Sequence, residues 1–131
     1  MKILVDTNIL ISALLNPNGV PAQALLLVAQ NHELILSDYN IAELRRVTSE
    51  KFPNKHADVD VLLAKLTYEI VPAPLMPQKL ITDPKDAPIL NAAIIYEVDL
   101  IISGDKHFRN LALERPKVVS AAEYLALEAA E

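Results

Sequence analysis

The sequence contains no cysteine, so both a disulfide framework and a thiolate metal site are excluded. No apolar run reaches the roughly 18 residues that a membrane-spanning helix needs. The N-terminus lacks a basic start followed by a long apolar stretch, and Asp6 interrupts the apolar residues that are there. We therefore expect a soluble protein, and the absence of cysteine is consistent with a reducing cytoplasm.

Glycine is scarce, with two residues in 131, and the chain has neither a GxGxxG motif nor a P-loop. This argues against a nucleotide-binding module. Aromatic residues make up 5% of the chain, which is too few for broad base-stacking platforms. The net charge of −5 argues against a partner held by bulk electrostatics, such as non-specific duplex DNA. A nucleic-acid enzyme stays open, because divalent cations can fill an acidic site.

What the chain does contain is an alternation of short apolar strands with helices. At 131 residues, the length predicts a single domain over residues 1–131. The predicted strands are 2–5, 34–37, 69–71, 99–103 and 118–120. The predicted helices cover about 21–30, 38–51, 57–67, 86–97 and 121–130, with Ser37 or Asp38 capping the second of them. This pattern predicts an α/β fold with a short, mainly parallel sheet of four to five strands that helices cover on both faces.

Two of the predicted strands run directly into acidic residues. ILVD ends at Asp6 and LIISGD ends at Asp105. Carboxyl ends of parallel strands share one edge, and ligands bind there where the strand order reverses. If the first and fourth strands are neighbours, these two acids face each other. Glu43 lies within the first two turns of the helix that leaves the second strand at that edge, whereas Asp86 reaches the edge only if the 72–85 loop crosses over.

Several carboxylates in one cleft repel one another, and all stay ionised near neutral pH only with a cation among them. Oxygen ligands without histidine or cysteine suit Mg²⁺ or Mn²⁺. Such ions polarise a phosphoryl oxygen and activate water. The pattern therefore indicates hydrolysis of a phosphodiester.

Each acid also has an ordinary structural interpretation when it is taken alone. Asp6 and Asp86 could cap the segments that follow them, and Glu43 could lie on a solvated helix face. Asp105 could be a turn residue, and Asp83, which precedes a proline, is typical of an Asp-Pro turn. The hypothesis of a site therefore depends on the joint placement of these residues.

The order of these residues resembles that of the PIN-domain ribonucleases. The similarity covers nearly the whole chain, through ILVDTNILISALL, LSDYNIAELRRV and ITDPKDAPILNAAIIYEVDLIISGDKHF. LLNPNG and TDPKD most resemble the toxin-component (VapC-like) branch of type II toxin–antitoxin systems. The resemblance implies a PIN-like three-layer α/β/α sandwich, RNA cleavage that needs Mg²⁺ or Mn²⁺, frequent homodimers, and a cognate antitoxin protein as partner.

The resemblance also assigns roles to individual residues. Four catalytic acids are expected: Asp6, Glu43, Asp86 and Asp105. The first, third and fourth of these are the expected metal ligands. Three polar residues are expected to support the acids: Thr7, Asn8 and Ser103. Asp83 is a second candidate for the third acid, and spacing alone does not decide between Asp83 and Asp86.

Basic residues around the cleft are the expected contacts to RNA: Arg45, Arg46, Lys85, Lys106 and Arg109. His107 lies beside them in the sequence and is interpreted as a surface residue. The apolar segments AQALLLVAQ and EYLALEAA offer surfaces for dimerisation but could equally belong to the core. The alternative function is a catalytically weak or inactive PIN-fold module that binds a protein or RNA partner.

Overall fold

The computed structural model of the chain describes residues 1–73, 87–105 and 115–130. These residues form five strands: β1 (Lys2–Val5), β2 (Glu33–Ser37), β3 (Glu69–Val71), β4 (Leu100–Ile102) and β5 (Lys117–Val119). They also form six α-helices: α1 (Thr7–Leu15), α2 (Val20–Asn31), α3 (Asp38–Lys51), α4 (His56–Ala64), α5 (Ala87–Ile95) and α6 (Ala121–Ala129). A short 3-10 turn at Pro53–Lys55 joins α3 to α4.

The five strands form one sheet in the order β3-β2-β1-β4-β5. Every neighbouring pair is parallel. The central strand is β1, whose Ile3 pairs with Leu34 of β2 on one side and with Leu100 of β4 on the other. The strand order therefore reverses between β1 and β4, and the predicted parallel α/β sheet is confirmed.

Helices cover both faces of the sheet, which explains why its strands are apolar throughout. Successive side chains of a strand point to opposite faces. Ile3 and Val5 join a core with α1, α2, α4 and α6, while Leu4 joins a second core with α5. All three of these strand residues are fully buried. The expected three-layer arrangement is therefore confirmed.

Helix α1 is an element that the sequence pattern does not predict. It begins one residue after β1, and its buried residues include Ile9, Leu10 and Leu14. Asp6 occupies the position before the helix in an extended conformation, but its side chain makes no capping hydrogen bond. Packing rather than a cap holds this helix, so capping does not explain the acid at position 6.

Two helices end earlier than predicted because their last turns close differently. α5 stops at Ile95, since Glu97 has a positive φ of 54°. The N–H groups of Val98 and Glu97 donate to the carbonyls of Ala93 and Ile94 at 2.9 and 3.2 Å, which is the Schellman pattern of a helix end. α4 stops at Ala64 instead of 67. The predicted cap of α5, Asp86, lies outside the described residues.

The two segments that were candidate dimer surfaces belong to α2 and α6, and these helices pack against each other in the first core. The imidazole of His32, directly after α2, contacts the carboxylate of Glu128. The hydroxyl of Tyr124 donates to the same carboxylate at 2.6 Å. Much of each helix is therefore core, although Leu26 and Leu127 are 41% and 51% exposed.

No single helix among the described residues is long and apolar enough to cross a membrane. α1 and α2 pass that test only when they are counted together, and the chain bends by 115° between them.

Candidate active site

The site lies at the carboxyl ends of β1 and β4, where the strand order reverses. Asp6 follows β1 directly, and its backbone N–H donates to the carbonyl of Ile102 at 2.9 Å. Ser103 and Asp105 follow β4 at the same edge. Open α/β sheets bind ligands in the crevice at such a reversal. The first and fourth strands are neighbours, as the hypothesis from the sequence requires, and their pairing brings the two strand ends together.

One serine hydroxyl links the two strand ends. Ser103 Oγ donates to Asp6 Oδ2 at 2.9 Å, and it accepts from the backbone N–H of Asp105 at 3.0 Å. Ser103 is fully buried and Asp6 is only 2% exposed. The hydrogen bonds therefore fix the Asp6 carboxylate and the loop that carries Asp105 relative to each other, with little access to water.

The buried carboxylate of Asp6 is held in an unfavourable electrostatic environment. Its pKa is raised from 3.8 to about 6, and burial is the largest cause. The charges of Glu43 and Asp105 also raise this pKa, whereas the hydrogen bonds from Ser103 and the Thr7 backbone lower it. Among the residues that the structure describes, both charged groups that act on this pKa are acidic. A cation at this point would therefore relieve both the desolvation and the repulsion.

Glu43 comes to the site from helix α3. Its carboxylate accepts a hydrogen bond of 3.2 Å from the hydroxyl of Tyr39, one turn earlier in the same helix. The residue is half-buried. Its effect on the pKa of Asp6 shows that the two carboxylates interact. The structure therefore places two other acids named from the sequence, Glu43 and Asp105, within electrostatic range of Asp6.

Asn40 is a polar residue of the site that the sequence reasoning missed. It is fully buried, and its Nδ2 donates to Thr7 Oγ1 at 3.0 Å and to the Val5 carbonyl at 3.4 Å. Its Oδ1 accepts from the N–H and Oγ of Ser37 at 3.0 Å. The signal in the sequence is a capping box, in which an N-cap serine is followed three residues later by a polar side chain that bonds back to it.

The other two polar residues that were predicted to support the acids differ in their solvent exposure. Thr7 is buried beside Asn40, whereas Asn8 is exposed on α1. Ser37, not Asp38, is the N-cap of α3, because Ser37 Oγ accepts from the Asn40 N–H at 3.0 Å. Asp38 instead accepts from the Ala73 N–H at 2.8 Å, which ties the start of α3 to the chain after β3.

Two of the residues that are predicted to contact RNA lie in the described part of the chain, and each forms an exposed ion pair. Arg45 Nη2 lies 2.9 Å from Asp60 Oδ1, and Arg46 Nη1 lies 3.2 Å from Glu50 Oε2. The other predictions in this region lie outside the described residues: Asp83, Lys85, Asp86, Lys106, His107 and Arg109. Their roles, and the choice between the two candidates for the third acid, stay predictions.

The acids at the site offer the type of ligand atom that the predicted metal requires. Asp6, Glu43 and Asp105 offer carboxylate oxygens, which hard divalent cations such as Mg²⁺ and Mn²⁺ prefer. Within residues 1–73, 87–105 and 115–130, no group of three His, Cys, Asp or Glu side chains is close enough to hold a metal ion. The predicted third ligand, Asp86, is not among these residues. The described residues thus supply part of the predicted set.

An apolar groove lies on the helical face formed by α1, α2 and α4, away from the acids. It has a volume of about 270 Å³, with a wall that includes Leu14, Leu25 and Leu62. Two side chains at the groove are exposed, Leu26 at 41% and Val61 at 52%. Such an apolar surface on the outside of a protein is typical of a site where another molecule binds.

Comparisons with known proteins give the same fold. The family model described as PIN domain matches residues 2–107. The uncharacterized protein MJ1680 of Methanocaldococcus jannaschii is 29% identical over 118 residues, which cover 85% of this chain and 75% of that protein. VapBC2 of Rickettsia felis, solved with a fragment of promoter DNA, contains a chain with a TM-score of 0.71 at 22% identity. DNA-bound VapBC of Salmonella typhimurium gives a TM-score of 0.65 at 15% identity. In both cases, 92% of this chain and 98% of the other are covered.

Proposed function

Because the chain belongs to the PIN domain family, we propose that it is a metal-dependent endoribonuclease and the toxin of a toxin–antitoxin pair. The observation that carries this proposal is the interaction of the buried Asp6 carboxylate with Glu43 and Asp105 at the sheet edge. A buried carboxylate is costly without a compensating charge. A divalent cation would compensate this buried charge and would also make the arrangement catalytically useful.

The metal ligands would be Asp6, Asp86 and Asp105, as the family pattern places them. When bound, Mg²⁺ or Mn²⁺ supplies a Lewis acid that offsets phosphate charge and makes water easier to deprotonate. Ser103 holds one carboxylate oxygen of Asp6 by its hydrogen bond, and an ionised carboxylate has further lone pairs that could ligate a cation. The oxygen-only set suits Mg²⁺ and Mn²⁺ equally well.

Glu43 is the candidate base, since it is half-buried and the Tyr39 hydroxyl holds one of its oxygens. In the proposed reaction, Glu43 accepts a proton from a water molecule that attacks the scissile phosphorus in line. The bond to the 3′-oxygen of the leaving nucleotide breaks, and that oxygen takes up a proton. The products then carry a 5′-phosphate and a 3′-hydroxyl, because water rather than the RNA 2′-hydroxyl is the nucleophile.

Cleavage of a labelled structured RNA tests the activity. The wild-type protein is expected to cut with Mn²⁺ and to stop when EDTA is added. Asp6→Asn removes a metal ligand and should abolish cutting. Glu33→Gln makes the same change of carboxylate to amide at the opposite end of a strand, in an exposed position, and should cut like the wild type.

Cleavage that survives EDTA, or that Asp6→Asn retains, would contradict the assignment of a metal-dependent nuclease site at Asp6. The absence of cutting across transfer, ribosomal and messenger RNAs by a folded protein with Mn²⁺ present would instead favour a PIN-fold module that only binds a partner.

The antitoxin partner is proposed to occupy the apolar groove between α1, α2 and α4. The support is the similarity in fold to chains of the two VapBC structures and the exposure of Leu26 and Val61 at the groove. A segment of the partner that presents apolar side chains would bury this surface. Lys55, Lys65 and Asp58 at the groove add charged contacts.

Binding to the protein encoded by the neighbouring gene tests this partner. Leu26→Glu and Val61→Glu place a charge in the groove without touching the core and should each weaken binding at least tenfold. Ile95→Glu puts the same charge at an equally exposed position at the end of α5 and should leave binding unchanged. A neighbouring gene that encodes no binding partner would remove the toxin assignment while the nuclease could stand.

A homodimer is the oligomeric state that the family resemblance favours. Light scattering of the isolated protein tests it, and a mass of one chain across micromolar concentrations would rule it out.

A further inference from the structure

We propose that Asn40 is a positioning residue of the site, whose side-chain amide sets where Glu43 lies relative to Asp6. The inference rests on the proposed function and extends it to a residue that no catalytic role explains. Asn40 reaches neither substrate nor metal in this account. It acts through the backbone on either side of Asp6 and through the helix that carries Glu43.

The contacts of Asn40 lie on both sides of Asp6. Nδ2 donates to the Val5 carbonyl at 3.4 Å and to Thr7 Oγ1 at 3.0 Å, and these are the residues directly before and after the acid. Oδ1 accepts from the N–H and hydroxyl of Ser37. The two donors and the two acceptor positions of the amide are thus all used, in a side chain with no solvent exposure.

A helix cap alone would not require an asparagine. The capping box needs only an oxygen that accepts from the N-cap backbone, and glutamate or glutamine commonly provides it. The amide nitrogen of Asn40 makes a second connection that has no part in the cap. That connection crosses from α3 to the junction of β1 and α1.

Glu43 lies three residues after Asn40, which places both side chains on the same side of α3. The hydrogen bonds of Asn40 therefore fix the first turn of α3, and with it the Glu43 carboxylate, against the backbone that holds Asp6. A misplacement of about 1 Å in a catalytic group can cost roughly 100-fold in rate. Loss of the amide should accordingly disturb catalysis more than folding.

The test compares Asn40→Ala with Thr48→Ala. Thr48 is also fully buried on α3, and its hydroxyl bonds at 2.6 Å to the Leu44 carbonyl of the same helix, so its loss affects stability without crossing to β1. The readouts are kcat and KM for cleavage of a structured RNA, and the affinity for Mn²⁺ alone by calorimetry. All are measured on folded protein well below the melting temperature.

Asn40→Ala is expected to lower kcat and to weaken Mn²⁺ binding, each by about 10- to 100-fold, as the loss of a residue that orients metal ligands does. KM for RNA should change little, and Thr48→Ala should keep kcat and Mn²⁺ affinity within twofold. Thr7→Val removes one acceptor of the Asn40 amide. It should reproduce part of the loss, and adding it to Asn40→Ala should cost little more.

The inference is overturned if folded Asn40→Ala matches Thr48→Ala in kcat and Mn²⁺ affinity. If Asn40→Ala does not fold, Thr7→Val serves as the test instead. A kcat of Thr7→Val equal to that of the wild type would then overturn the inference. A wild-type protein that neither binds Mn²⁺ nor cuts RNA would show instead that the proposed function itself is wrong, and the role of Asn40 would fall with it.

Discussion

The hydroxyl of Ser103 donates a 2.9 Å hydrogen bond to the carboxylate of Asp6, across the junction between β4 and β1. The same oxygen accepts from the Asp105 N–H. Two residues 97 positions apart in the chain are thereby joined at the point where the strand order reverses. This bond is the simplest place to test whether the buried acid is electrostatically tuned.

Replacement of Ser103 by alanine should raise the pKa of Asp6 above about 6 in the metal-free protein. The serine hydrogen bond stabilises the ionised carboxylate and lowers its pKa against the effect of burial. Its removal leaves the Thr7 backbone hydrogen bond as the remaining opposition to burial and repulsion. NMR titration of the Asp6 carboxyl carbon measures the change. Ser12→Ala, on the exposed side of α1, serves as control. A pKa of Asp6 that falls in Ser103→Ala would contradict the interpretation.

Asp6→Asn should stabilise the metal-free protein at pH 7.5, although it removes a catalytic group. Burial and repulsion raise the pKa of Asp6 from 3.8 to about 6, so the folded protein binds the proton more tightly than the unfolded chain. Wild-type stability therefore falls as the pH rises through this window, and a penalty of about 3 kcal/mol persists above it. The amide avoids this penalty and can still accept from Ser103.

Urea unfolding at pH 7.5 and pH 4 measures this difference without added metal. The stability gain of Asp6→Asn over wild type should be largest at pH 7.5 and should shrink towards zero at pH 4, where wild-type Asp6 is protonated. A variant that is less stable than wild type at both pH values would show that the buried charge is not a source of strain.

Glu97→Gly should stabilise the protein by about 0.5–1 kcal/mol. Glu97 has a φ of 54°, a conformation that costs a residue with a Cβ roughly 1–2 kcal/mol and costs glycine little. Part of that gain is lost to the greater freedom of glycine in the unfolded chain. Arg115 bonds the backbone carbonyl of Glu97, so this contact survives. Glu97→Ala keeps the unfavourable backbone, and an equal gain from it in urea unfolding would contradict the explanation.

Tyr124→Phe should destabilise the packing of α6 by about 1 kcal/mol at pH 7. The Tyr124 hydroxyl is the main cause that lowers the pKa of Glu128, with His32 adding to it. A carboxylate with a lowered pKa contributes stability above its unfolded pKa, and this contribution is lost as the pH falls through the folded value. The difference in melting temperature between Tyr124→Phe and the wild type should therefore become smaller as the pH falls. A difference that is independent of pH would assign the loss to packing alone.

Much of the fold could be predicted because its strands are uniformly apolar. Residues 2–5 and 34–37 have no alternation, and burial on both faces of a parallel sheet is what such a pattern requires. Helix α1 was not predicted, because ILISALL is apolar without a clear helical period and no side chain caps its start. Short apolar runs do not distinguish strand from helix until their packing is known.

The site could be predicted only as far as strand ends determine it. Asp6 and Asp105 follow from the rule that carboxyl ends of parallel strands share an edge. The place of Asn40 in the site does not follow from this rule, because a polar residue in the first turn of a helix is usually solvated. Only the pairing of β1 with β2 brings the start of α3 beside Val5 and Thr7. Tertiary contacts of this kind leave no periodicity in the sequence.

Calorimetric titration of Mn²⁺ into the wild-type protein and into Asp6→Asn tests the central claim most directly, namely that Asp6 is buried where it is in order to hold a divalent cation. The account predicts binding by the wild type and a loss of at least tenfold in affinity in Asp6→Asn, even though that variant is the more stable protein. Equal Mn²⁺ binding by both proteins, or no binding by either, would contradict it.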